Sequence, residues 1–155
     1  MAVSPIPAGH HTVTPHLVIK GAAQAIEFYK KAFGAQEINR VPGPEGKLLH
    51  AEIKIGDSFV YLADEVPDWG IVGPADGKSP VVLHLYVPDT DKAFAQAISA
   101  GGTAVMPPMD AFWGDRYAKL TDPFGHHWSI ATHMKDLTPE QMMEGMKQAM
   151  GESCQ

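Results

Sequence analysis

Residues 14–34 read TPHLVIKGAAQAIEFYKKAFG (Thr14 to Gly34), and this stretch decides the class of the fold. Thr14 to Gly21 form an extended run with β-branched side chains. Ala22, Ala25, Ile26, Tyr29 and Phe33 then recur at helical spacing until Gly34 stops the helix. Three further extended runs follow: Ala35 to Val41, Lys47 to Ile55 and Ser58 to Asp64. Gly43-Pro44-Glu45-Gly46 reads as a hairpin loop between the first two, and Gly56-Asp57 as the turn between the last two. The order is β-α-β-β-β.

The same order returns 68 residues later. His16-Leu17-Val18-Ile19 falls on His84-Leu85-Tyr86-Val87, Ala25-Ile26 on Ala93-Phe94, and Gly34 on Gly102. In this register Tyr61 stands opposite Ser129 and Leu62 opposite Ile130. A repeat of this length implies two modules, about 13–65 and 81–133, each close to the size limit for independent stability, so the pair is expected to build one domain over residues 1–155. Asp64 to Pro80, rich in Pro and Gly and without periodicity, reads as a crossover able to act as a lid. Near the C-terminus, Thr138 as N-cap, Pro139 and Gln141 predict a helix over about 138–150, whose Met142, Met143, Met146 and Met150 suit core or dimer packing.

Alternation along the strands separates two faces. Leu17, Ile19, Ala51, Ile53, Ile55, Val60, Leu62, Leu83, Leu85, Val87, Ala118, Leu120, Trp128 and Ile130 make an apolar face that must carry the helices. Opposite them lie Thr14, His16, His50, Glu52, Phe59, Tyr61, His84, Tyr86, Tyr117, Lys119, His127 and Ser129, a mixture of imidazoles, phenols and a carboxylate that suits a lined cavity. The 155 residues carry 12 Lys plus Arg against 18 Asp plus Glu, a net charge of -6 that argues against nucleic acid as a partner. No apolar run approaches the ~20 residues of a membrane helix. Cys154, alone and next to the end, supports neither a disulfide framework nor a positioned nucleophile, and residues 1–12 lack the pattern of a signal peptide, so a soluble cytoplasmic protein is expected.

The string AFWGDRYAKLTDPFGHHWSIATH (Ala111 to His133), with TPHL near the start, LADE (Leu62 to Glu65) and the tandem β-α-β-β-β repeat, resembles the vicinal oxygen chelate superfamily of glyoxalases, bleomycin-resistance proteins and extradiol dioxygenases, most closely its PhnB-like branch. The resemblance spans roughly residues 13–135. It implies an α+β fold in which tandem modules form a half-open barrel around a central cup, and a homodimer. It also implies binding of a small organic molecule, with lyase, isomerase or dioxygenase chemistry, or with sequestration of a drug or metabolite and no catalysis. Metal-dependent members place four ligands on the first and last strands of the modules. The corresponding positions here are Thr14, Tyr61, Val82 and Ser129, none a good donor for zinc, iron or manganese. A displaced divalent site is a further reading, with His16 and His84 joined by Glu52 or His50. The same histidines also read as pocket groups that orient a ligand or move its protons, or as hydrogen-bonded core residues.

The residues expected to line a ligand site are His16, His50, Glu52, Tyr61, His84, Trp113, Arg116, Tyr117 and His127. Phe112, Trp113, Asp115, Arg116 and Tyr117 combine flat rings with a guanidinium fork, which suits an aromatic or anionic molecule or anchors a loop. Asp122-Pro123-Phe124-Gly125 matches a type I turn and is read as structural. No G-x-S-x-G elbow, P-loop or G-x-G-x-x-G is present.

Overall fold

The computed structural model describes residues 2–152; Cys154 lies outside them. The chain divides into two compact units, 1–79 and 80–155, with the boundary inside the crossover read from the sequence.

The first unit holds β1 (His16–Ile19), α1 (Ala22–Phe33), β2 (Gln36–Pro42), β3 (Leu48–Ile55) and β4 (Ser58–Asp64). Its sheet runs β1-β4-β3-β2, with β1 parallel to β4 and the other pairs antiparallel. α1 buries Ala22, Ala25, Ile26, Phe28, Tyr29 and Ala32. Leu17, Ile19, Ala51, Ile53, Val60 and Leu62 are buried on the sheet, while Ile55 is half-buried. Gly34 ends the helix at φ 68, where a β-carbon is disfavoured, and donates its N–H to the Lys30 carbonyl (3.1 Å). The N-cap residue of α1, Gly21, has no side chain to offer. Asp64 at the end of β4 replaces it: Oδ1 accepts from the N–H groups of Gly21 (2.8 Å) and Ala22 (3.2 Å), and Oδ2 from Leu48 (2.7 Å).

The second unit repeats the order with β5 (Val82–Tyr86), α2 (Thr90–Ala100), β6 (Thr103–Asp110), β7 (Asp115–Thr121) and β8 (His127–His133), followed by α3 (Pro139–Glu152). Its sheet runs β5-β8-β7-β6, with β5 parallel to β8. Ala97, Ala118, Leu120, Trp128 and Ile130 are buried; Leu83, Leu85 and Val87 are half-buried. The repeat register holds in three dimensions: His16 pairs with Tyr61 across β1 and β4, and His84 pairs with Ser129 across β5 and β8.

The Asp122 turn is structural, as read. Oδ1 accepts from Phe124 N (2.9 Å) and His126 N (3.0 Å), and Oδ2 from Trp128 Nε1 (2.9 Å). The capping box of α3 forms, with Gln141 N donating to Thr138 Oγ1 (3.2 Å) and Thr138 N to Gln141 Oε1 (2.9 Å). The crossover carries local order: bridges join Val66 to Ile71 and Ala75 to Lys78, and Gly73 N donates to Glu65 Oε1 (2.8 Å).

Candidate functional site

In the first unit, strand pairing assembles a ring face opposite α1. One rung of the sheet reads His16, Tyr61, Glu52, Asn39, and His50 stands two residues from Glu52 on β3. The His50 and Tyr61 rings meet at 4.8 Å and 74°, while His16 lies 6.0 Å from His50 and 6.1 Å from Tyr61, edge-on to each. His50 Nε2 is 3.3 Å from Glu52 Oε1, a contact that orients the ring. Desolvation first, and the neighbouring His50 charge second, hold His16 below the usual imidazole value of 6.5. His16 is therefore neutral at neutral pH, with one ring nitrogen free to accept a hydrogen bond.

Phe59 continues the same face on β4 and receives a ring absent from the sequence-based site, that of His10. The two stack at 4.1 Å and 8°, and His10 also lies 5.7 Å from Tyr61. His10 precedes β1, where alternation assigns no face. The only cue in the chain is the turn-forming Pro7-Ala8-Gly9 ahead of it.

In the second unit, successive rungs read Tyr86, Ala131, Tyr117, Met109, then His84, Ser129, Lys119, Met106, then Val82, His127, Thr121, Thr103. His84 Nδ1 is 2.6 Å from Ser129 Oγ. Its ring stands 4.8 Å from Tyr86 and 6.1 Å from Tyr117, and Tyr117 lies 5.3 Å from Trp113. Trp113 Nε1 donates to Asp115 Oδ2 (3.1 Å), which fixes the indole. His127 is half-buried one rung beyond His84, on the same face. Lys119 occupies the place that Glu52 holds in the first unit, so the two rungs differ in charge.

Arg116 departs from its expected place. Nε and Nη2 donate to the two oxygens of Asp91 (3.1 and 2.9 Å), and Nη1 donates to Asp110 (3.2 Å). The cause is alternation: Arg116 shares the helix-bearing face of β7 with Ala118 and Leu120, whereas Tyr117 and Lys119 point the other way. The guanidinium, its pKa raised by Asp91 and then Asp110, clamps the start of α2 and is removed from the ligand set.

Asp115, named in the sequence only as part of the Phe112 to Tyr117 segment, is buried; Oδ1 meets His133 Nδ1 at 2.8 Å, and His133 Nε2 reaches Asp136 at 2.7 Å. Both carboxylates raise the His133 pKa, Asp136 more than Asp115. A cavity of about 550 Å³ lies between residues 110–115 and α3, lined by Phe112, Met134, Leu137, Gln141 and Glu144 among others, and by none of the ligand residues read from the sequence. Its Asp110 and Asp115 already serve Arg116, Trp113 and His133.

Among the described residues no three His, Cys, Asp or Glu side chains stand together as metal ligands. Of the positions implied by resemblance, Thr14 precedes β1, and Val82 pairs with His127. Each first-and-last-strand pair offers one imidazole and one hydroxyl, His16 with Tyr61 and His84 with Ser129. That donor set does not fit a divalent ion.

The sequence profile of the Glyoxalase/Bleomycin resistance protein/Dioxygenase superfamily matches residues 9–130. Protein Mb0911c of Mycobacterium bovis is 43% identical over 150 residues, 94% of this chain and 96% of that one. The solved structure of the Arabidopsis thaliana gene product At5g48480 superposes with a TM-score of 0.61 at 28% identity, over 78% of this chain and 98% of that one. A PhnB protein from Bacillus cereus superposes at 0.62 with 17% identity, over 79% and 99%, a likeness of fold alone.

Proposed function

The chain belongs to the Glyoxalase/Bleomycin resistance protein/Dioxygenase superfamily, and from that premise we propose that it binds a small oxygenated or aromatic molecule on the imidazole-and-ring faces of its sheets. The observation that carries the reading is the cluster of His16, His50 and Tyr61 beside Glu52 in the first unit, built on a rigid sheet with one imidazole held neutral. Ring faces contribute about 0.5–1.5 kcal/mol each beyond burial, and a neutral imidazole accepts from a ligand hydroxyl. His84, Tyr117 and Trp113 supply the same chemistry within the second unit.

Sequestration without catalysis is one reading of this donor set. The second reading, a lyase-, isomerase- or dioxygenase-type enzyme, is favoured by one observation: a neutral His16 beside Tyr61 is suited to take a proton. The reading includes a homodimer in the cytoplasm. It is supported by exposed Met143 and Met150 on α3, and by the absence, among the described residues, of a helix long and apolar enough to cross a membrane.

The test is a thermal-shift screen of aromatic and oxygenated compounds, followed by calorimetry on the hits. His16→Ala and Tyr61→Ala are each expected to weaken binding roughly tenfold, the size of one lost hydrogen bond or ring contact. Unchanged affinity in both would refute the site. Titration with nickel, zinc, manganese and iron separates the two readings: stoichiometric metal lost in His16→Ala or His84→Ala would establish the enzyme over the binder.

A further inference from the structure

We infer that the ring face of the second unit takes an aromatic carboxylate, whose charged group pairs with the Lys119 ammonium beside His84. The inference rests on the small-molecule reading above and deepens it by fixing the sign of the ligand's charge on this sheet.

Strand pairing places Lys119. It stands across from Ser129 on β8, which in turn stands across from His84 on β5, while its neighbours Ala118 and Leu120 are buried on the helix-bearing face. The rest of the rung is ordered. Ser129 is buried, its Oγ is 2.6 Å from His84 Nδ1, and the His84 ring lies nearly parallel to Tyr117, 6.1 Å away at 22°. Tyr117 and Lys119 are two residues apart on β7, about 7 Å along the strand, so the ammonium on its four-carbon stem reaches the edge of a molecule lying on those rings. Ser129 occupies Nδ1 of His84, which leaves Nε2 as the ring nitrogen that meets the same molecule.

The charge is the second observation. Lys119 is half-buried, and among the described residues no carboxylate pairs with it. The other half-buried lysines are partnered: Lys30 bonds Glu27 at 3.0 Å, and Lys54 lies 5.3 Å over the Phe59 ring. None of the three rungs around His84 carries Asp or Glu, in a chain whose net charge is -6. Asp115, at the start of β7, is buried and committed to His133 and Trp113. An ammonium partly withdrawn from water gains most from an opposite charge within hydrogen-bond reach, and on this face that charge comes from outside the chain. In the first unit the equivalent place holds Glu52, 3.3 Å from His50, so the preference for an anion belongs to the second unit alone.

Benzoate and benzamide serve as probes, since they share a ring and a planar head group and differ in charge. Binding is followed by NMR titration of the His84 and Tyr117 ring signals, with those of His16 and Tyr61 recorded alongside. The wild-type protein is expected to bind benzoate roughly tenfold tighter than benzamide, the size of one charge-assisted hydrogen bond, with the preference shrinking as salt is raised. Lys119→Met keeps the apolar stem and lacks the charge; it should bring the two probes within about twofold of each other while leaving benzamide affinity unchanged. Lys119→Gln should do the same, and Lys119→Arg should retain the preference. Equal binding of the two probes by the wild type, or a preference that survives in both Lys119→Met and Lys119→Gln, overturns the role of Lys119 while leaving the ring face standing. If neither probe moves the His84, Tyr117, His16 or Tyr61 signals, the small-molecule reading fails and this inference falls with it.

Discussion

At the scale of single residues, His16 on the ring face and the buried Asp64 decide the most. His16 takes its proton late because the sheet desolvates it and His50 stands 6.0 Å away. A depressed folded-state value means that the folded protein binds fewer protons than the unfolded chain in the window just below 6.5. Stability is then present above 6.5 and lost as pH falls. The Cε1 proton of His16 should titrate with a midpoint below 6.5 by NMR, and His50→Gln should move that midpoint up by removing the second cause. A midpoint at or above 6.5 would contradict the environment described. In the sequence Asp64 marks the end of a strand, the start of the crossover and part of the LADE string, with no bonding role evident. In the structure it is buried and serves three backbone N–H groups of α1 and β3. Asp64→Ala strands these donors, with an expected loss of about 3 kcal/mol in urea unfolding. A loss under about 1 kcal/mol would mean that water replaces the carboxylate without penalty.

Among elements, the strands and their faces were legible because period-2 alternation and a 68-residue repeat agree, and side-chain size then fixes which face is buried. Leu62 and Ile130 occupy equivalent places on β4 and β8 and are both fully buried. Leu62→Ala and Ile130→Ala are each expected to destabilise by about 2–5 kcal/mol, the usual range for a buried aliphatic truncation. A negligible effect at one would break the equivalence of the modules. Sequence proximity alone does not place a side chain on a face. Arg116 was grouped with its neighbours in the Phe112 to Tyr117 segment, yet a strand sends Arg116 and Tyr117 to opposite faces, and the carboxylates of Asp91 and Asp110 wait on the helix side. His10 was illegible for another reason, since a turn ahead of a strand has no periodicity and its placement depends on Gly9 meeting Phe59.

For the whole molecule, the family was carried by the order of elements and the Ala111 to His133 string, whereas the ligand is not written in any motif because this fold serves many chemistries. The exposed methionines of α3 belong to a proposed self-association. Sedimentation at micromolar concentration should return about twice the 16.7 kDa monomer mass, and a mass near the monomer would remove the dimer. The central claim, that a small molecule lies on the ring face rather than against the helices, is tested most directly by NMR shift mapping with a saturating aromatic hit. Shifts are predicted at His16, His50, Glu52, Phe59 and Tyr61, with Leu17, Ile53 and Leu62 unmoved. The reverse pattern, or shifts confined to the gap under α3 around Phe112 and Leu137, would contradict it.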